Sequence, residues 1–231
     1  MLVSEKIIVT FTSFPGRINN VAKLVYSILR NTRKPDLIVC NLSKEEFPNG
    51  ILDLPHDMRL MIKGGYFEVH FVDKNTRQFK KLIPTLDRFP NDVVISIDDD
   101  VIYPENFIES MYNDYLKYDK KYPITGGHWI DRGYYQNKPS HHGSFTLITK
   151  SMFGRNFTKV KKLIRNELWE KIWFDDPLYT YAVMGNGLEY KMSSYNWSRY
   201  KRGFVSKGVS DSNRDKRYFE HKYLKEVFRC K

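Results

Sequence analysis

Residues 93–107, VVISIDDDVIYPENF, decide the fold. Val93–Ile97 is a β-branched apolar run interrupted only by Ser96, the composition of a strand buried on both faces. It leads straight into Asp98, Asp99 and Asp100, and the chain turns apolar again before Tyr103 and Pro104. Adjacent carboxylates repel one another, so three of them after a buried strand call for positive charge nearby. Open α/β sheets bind ligands beyond the carboxyl ends of their strands, which is where this run delivers its aspartates. Alternate carboxylates leaving a strand, here Asp98 and Asp100, can share one divalent cation, and hard oxygen ligands suit Mn2+ or Mg2+. The simpler reading, a solvated acidic turn, is weakened by the strand that precedes it.

Working outward, strand and helix signals alternate through the first half. KIIVTFTSF (6–14), LIVCNLS (37–43) and FEVHFVD (67–73) read as further strands. Ile18, Val21, Ala22, Val25, Ile28 and Leu29 follow helical spacing. Ser43 and Glu46 have capping-box spacing for a short helix, 77–89 reads as a helix interrupted at Pro84, and 105–122 as a longer one. This order predicts an α/β fold with a mostly parallel sheet flanked by helices. Beyond it, 143–153 reads as a strand, and 159–174 and 177–187 as helices.

The 231 residues suit one domain, 1–231, in two halves (1–104 and 105–214) and a C-terminal helix (215–231). No apolar run approaches the roughly 18 residues of a membrane helix, and MLVSEKIIVTFTSF reads as a first strand rather than a leader. Two cysteines, Cys40 and Cys230, are no disulfide framework, which points to a reducing cytoplasm. A net charge of +11 favours anionic partners: nucleic acid, acidic lipid or phosphorylated small molecules.

At this point the chain resembles a family. IVTFTSFPGRI, KKLIPTL, ISIDDDVIYP and WFDD occur in the order seen in bacterial GT-A glycosyltransferases of the inverting, family-2-like group that acts on surface polysaccharides. The resemblance covers roughly residues 6 to 190. It implies one GT-A domain, with 1–104 its nucleotide-binding half and 105–214 its acceptor-side half, that uses a nucleotide-diphosphate sugar, UDP before other bases, and a divalent metal. The sugar would pass to a glycan or lipid-linked acceptor. It also implies that Asp98 holds the ribose or base side, that Asp100 is a metal ligand, and that Asp99 assists or holds sugar hydroxyls. Arg17 would lie near the nucleotide, Asp73 would read the base, and Lys80 and Lys81 would lie near the phosphates. For the two lysines a solvated helix face is the competing reading.

Inverting transfer needs a base for the acceptor hydroxyl. Asp176 precedes Pro177 and so reads as the N-cap of a helix whose terminus keeps its carboxylate ionised. The resemblance implies Asp176 as the base, with Asp175 orienting it. His128, His141 and His142 are either structural, or metal or acceptor contacts. Two rivals share the pattern. Asp98, Asp100, Lys161 or Lys162, and Asp175–Asp176 imitate the order of a haloacid-dehalogenase phosphatase. YNWSRYKRGF (195–204) gives a basic, aromatic stretch for nucleic acid, without a recognised motif. In the tail, Phe219, Tyr223, Val227, Leu224 and Phe228 form an apolar stripe between basic residues. It either docks on the domain or lies on an anionic membrane.

Overall fold

A computed structural model describes residues 5–126, 139–141, 144–166, 174–194, 201–202 and 214–230. Four strands form the parallel part of the sheet: β1 (Ile7–Thr12), β2 (Leu37–Ser43), β3 (Glu68–Val72) and β4 (Val93–Ile97). β5 (Val101–Ile102) leaves the aspartate trio, and β6 (Ile124–Thr125), β7 (Phe145–Ile148) and β8 (Lys191–Met192) extend the sheet. The order is β3-β2-β1-β4-β7-β6-β8, with β7 antiparallel to both neighbours and the other four pairings parallel. β5 pairs separately with β9 (Lys201–Arg202). The α/β fold read from the sequence is the one observed.

The helices follow from the crossovers. α1 (Val21–Leu29) and α2 (His56–Lys63) carry the chain from β1 to β2 to β3, toward one edge. α3 (Ile83–Arg88) carries it back across both strands to β4. Right-handed crossovers running in opposite directions place helices on opposite faces, and they leave a crevice where the direction reverses. That switch point lies between β1 and β4. α4 (Phe107–Lys117) joins the α1 side, where Arg33 stacks on Tyr112. α5 (Asn156–Arg165), α6 (Asp175–Met184) and α7 (Arg214–Phe228) cover the α3 side, where Lys150 and Lys161 pair with Asp87. Val9, Val39, Val94, Ile95 and Leu147 are fully buried between the two layers.

Several elements differ from expectation for local reasons. The 77–89 segment is a 3-10 turn (Arg77–Lys80) and then α3, and Pro84 sits in the first turn of α3, where its missing N–H costs nothing. Ser43 does bond Glu46, at 2.7 Å, but no helix follows; the next turn is 3-10, over Gly50–Asp53. The 143–153 strand stops at Ile148 because Thr149 caps a 3-10 turn over Lys150–Phe153. α4 ends at Lys117, and Asp119 and Lys120 then take left-handed φ values of 52° and 60°. The helix expected at 159–174 is α5, which starts three residues earlier, at Asn156, and ends at Arg165 with Asn166 as its C-cap; 167–173 lie outside the described residues, and α6 begins two residues before Pro177.

The tail belongs to the core. Leu224 and Phe228 are buried and α7 packs on α6. At Gly185 an added Cβ would come within 2.6 Å of the Phe228 carbonyl, so the contact requires glycine there. Leu224 and Phe228 of the apolar stripe are therefore covered by the domain and are not free to enter a bilayer, whereas the side chain of Phe219 lies outside the described ones. No helix among the described residues is long and apolar enough to cross a membrane. Leu224→Ala should cost about 2–5 kcal/mol in urea unfolding, as for a core leucine. A cost below about 0.5 kcal/mol would make the tail peripheral.

Candidate active site at the switch point

The register of β1 on β4 builds the first half of the site. Thr10 lies beside Ser96, so three residues on, beyond the strands, Ser13 stands level with Asp99. Ser13 Oγ donates to Asp99 Oδ2 at 2.6 Å, and Arg17 Nη1 donates to Asp99 Oδ1 at 2.9 Å. Arg17 also lies 3.4 Å from Asp100 Oδ2. Burial opposes its charge, but the attraction of Asp99, Asp100 and Asp98 outweighs this and raises its pKa. The loop after β1 thus supplies one of the cations that the trio requires.

The other cation is Lys81. Its Nζ donates to Asp98 Oδ1 at 3.0 Å and lies 3.4 Å from Asp175 Oδ2. Its backbone is held from below, since the Lys81 carbonyl accepts from Thr10 Oγ1 at 2.8 Å and Asn41 Nδ2 at 3.1 Å. Thr85 Oγ1 bonds the same two side chains, which ties β1, β2 and the start of α3 into one buried polar knot. Lys81 is buried, which alone would lower its pKa, yet Asp175, Asp98 and Asp176 together hold it above the ordinary lysine value. It is a fixed ammonium.

The remaining groups come from α6 and the β7 side. Asp175 and Asp176 occupy the first turn of α6, whose N-cap is Phe174, so Asp176 is not the cap expected from Pro177. The helix dipole still favours both carboxylates there. Burial pushes the Asp175 carboxyl above its usual range, Lys81 offsets this only in part, and Asp98 adds to it. Asp175 is buried and Asp176 half-buried, so Asp176 is the more accessible of the two. His141 is held through its backbone N–H, which donates to Thr180 Oγ1 at 2.9 Å, and by ring contacts with Tyr179 and Tyr190. One ligand atom each from His141, Asp175 and Asp176 lie within 4.8 Å of one another. Behind the trio, the Tyr103 hydroxyl accepts from the Asp98 N–H and donates to the Ser144 carbonyl, so β5 is latched to β7.

The structure therefore brings together Arg17, Lys81, Asp98, Asp99, Asp100, Asp175 and Asp176. Two expected residues lie elsewhere. Lys80 is buried and turned to Glu46 (3.0 Å) and Asn75 (2.9 Å). Asp73 is exposed on Lys44 after the edge strand β3, three strands from β4, or about 14 Å away. His128 and His142 lie outside the described residues. The phosphatase order is not assembled, since Lys161 pairs with Asp87 on α3, Lys162 is exposed, and Asp98 meets Lys81 instead. The 195–200 and 203–204 parts of the basic aromatic stretch also lie outside the described residues.

Two donor sets could hold a divalent cation. Asp98 and Asp100 have side chains 32% and 21% exposed and offer hard oxygens outward, whereas Asp99, at 8%, is turned in to Ser13 and Arg17. The second set is His141, Asp175 and Asp176. Ser13, Thr10, Asn41 and Tyr103 were not singled out from sequence. Their signal was a polar side chain at the end of, or inside, an otherwise apolar strand.

No protein-family model and no curated protein matches the chain. Solved structures show partial likenesses of fold. One is the mannosyltransferase PcManGT from Pyrobaculum calidifontis in complex with GDP-Man and Mn2+: 13% identity, TM-score 0.45, covering 67% of this chain and 47% of that one. The chain thus spans about half the length of that relative. The second is 2-C-methyl-D-erythritol 4-phosphate cytidylyltransferase from Thermus thermophilus (9%, 0.48, covering 96% and 99%). The third is mouse xyloside xylosyltransferase 1 in its apo form (11%, 0.45, covering 99% and 95%).

Lys81→Met should destabilise the fold by about 3–5 kcal/mol at neutral pH, because it leaves Asp175 buried beside Asp98 without a counter-charge. The sign of the pH dependence follows from Asp175. Its folded pKa is already raised and would rise further in the variant, so the variant is penalised progressively as pH climbs above the usual carboxylate range. The deficit should shrink toward about pH 4, where protonated Asp175 needs no partner. Urea unfolding across that range would show it; a deficit independent of pH would contradict the ion-pair assignment.

Proposed function

We propose that this chain transfers a sugar from a nucleotide-diphosphate donor, UDP before other bases, to a hydroxyl of a glycan or lipid-linked acceptor, with inversion. The observation that carries the reading is the switch-point edge itself. Fixed cations, an outward pair of carboxylates and a helix-terminal acid pair meet there from four separate elements, the loop after β1, the turn before α3, the end of β4 and α6. Donor diphosphate would lie along the Arg17 side of the trio. Asp98 and Asp100 would hold Mn2+ or Mg2+, which neutralises charge on a diphosphate leaving group. Asp99, locked by Ser13 and Arg17, sets the position of its two neighbours.

On the other side, Asp176 would take the acceptor proton. It is the more accessible acid of its pair, while Asp175 is committed to Lys81. The Lys81 ammonium links the halves: it touches Asp98 on the donor side and Asp175 on the acceptor side, and so fixes the distance between them. This arrangement supports an enzyme over a passive binder, since a binder needs no buried acid pair beside a solvent-reachable one. A second location for the metal is favoured by one observation, the 4.8 Å grouping of His141 with Asp175 and Asp176.

Three variants test the reading. Asp100→Asn should abolish Mn2+-dependent binding of UDP in calorimetry while the unfolding midpoint is kept. If His141→Gln abolishes it instead and Asp100→Asn does not, the cation sits on the α6 set. Asp176→Asn should reduce sugar transfer by about 100-fold or more while donor affinity stays within about threefold. Near-normal turnover would move the base elsewhere.

A further inference from the structure

The α3 side of the sheet carries a predominantly basic surface far from the acidic edge, in which Glu226 is the one exposed acid of α5 and of residues 221–230. Arg155, Lys159, Lys162 and Arg165 are exposed along α5 and its N-cap, and Lys222, Lys225 and Arg229 along the end of α7. A groove of about 760 Å³ runs between the two helices; Arg155, Lys159, Lys162 and Arg229 line it, and no acidic residue does. A smaller hollow of about 300 Å³ beside it adds Lys150, Lys161 and Arg165. Its one carboxylate, Asp87, is already paired with Lys150 and Lys161. Arg155, Lys162, Arg165 and Arg229 make no ion pair among the described residues. Gly185, at the far end of α6 from Asp175, also lines the groove, about 15 Å along the helix axis from the acid pair. The groove is therefore no part of the site described above.

Like charges held this close repel and are stabilised by an anionic partner. The choice of partner follows from what else the face offers. Leu224 and Phe228 are buried, and no large apolar side chain of α5 or of residues 221–230 is exposed, so these described parts of the face offer nothing to insert into hydrocarbon or to stack on bases. The cations spread along α5, about 15 Å, and across to α7, more than one phosphate can reach. A duplex is too wide to enter the groove, whereas a phospholipid headgroup fits it. We infer that this face docks the protein, by charge alone and without insertion, on the surface of an anionic bilayer.

The test is sedimentation of the full chain with phosphatidylglycerol–phosphatidylcholine vesicles, and with phosphatidylcholine alone. Binding should appear only with the anionic lipid at about 0.1 M salt and vanish near 1 M, as the Debye length falls from about 10 Å to about 3 Å. R155E/K162E/R229E should weaken it by about a hundredfold or more. K34E/K63E/K117E changes the net charge equally but on the α1–α2–α4 side, and should stay within about threefold of the parent. If circular dichroism shows the first variant misfolded, R155A/K162A/R229A takes its place, with a smaller loss of the same sign. Equal losses in both sets would reduce the effect to net charge and overturn the assignment. So would equal binding to neutral vesicles, or retention of duplex DNA by a parent that ignores vesicles.

Discussion

The edge of this protein depends on one constraint: carboxylates at three successive positions need cations that the chain itself can hold in place. Asp99 is the keystone. It is nearly buried, so it is tolerated only because Ser13 and Arg17 reach it across the switch point between β1 and β4. With Asp99 turned inward, its neighbours must point elsewhere, and both Asp98 and Asp100 remain reachable from solvent. The geometry of the site is thus a consequence of strand register and one ion pair.

The second cation extends the same logic across the domain. A lysine ammonium buried without partners would lose its proton. Lys81 keeps it because Asp98 lies on one side and Asp175 on the other. The polar knot of Thr10, Asn41 and Thr85 holds the Lys81 carbonyl, so the ammonium is aimed by the sheet itself and not by a loop. An arrangement of this kind is preorganised: the charges that would face a diphosphate and an acceptor are set before either arrives.

Much of this was legible in the sequence, and the residues show where legibility stops. The apolar runs at 7–12, 37–43 and 93–97 announce buried strands by composition alone, and the trio announces a site because repulsion needs an explanation. Lys80 and Lys81 look alike in sequence, yet one is spent on Glu46 and the other aimed at the acids. That difference is set by a 3-10 turn that periodicity does not signal. Asp73 reads as a strand-end acid like Asp98, but strand order, a non-local property, puts it at the edge of the sheet. The tail reads as amphipathic, which is correct, but a periodic stripe cannot say whether α6 or a membrane covers it.

The most direct measurement is a thermal-shift panel of nucleoside diphosphates, each with Mn2+ and with EDTA. Stabilisation by one base, UDP first among them, only when the metal is present is the expected result, since the outward carboxylates and the diphosphate would share the cation. Equal shifts in EDTA, or no shift with any base, would contradict the assignment of this edge to a metal-bound nucleotide.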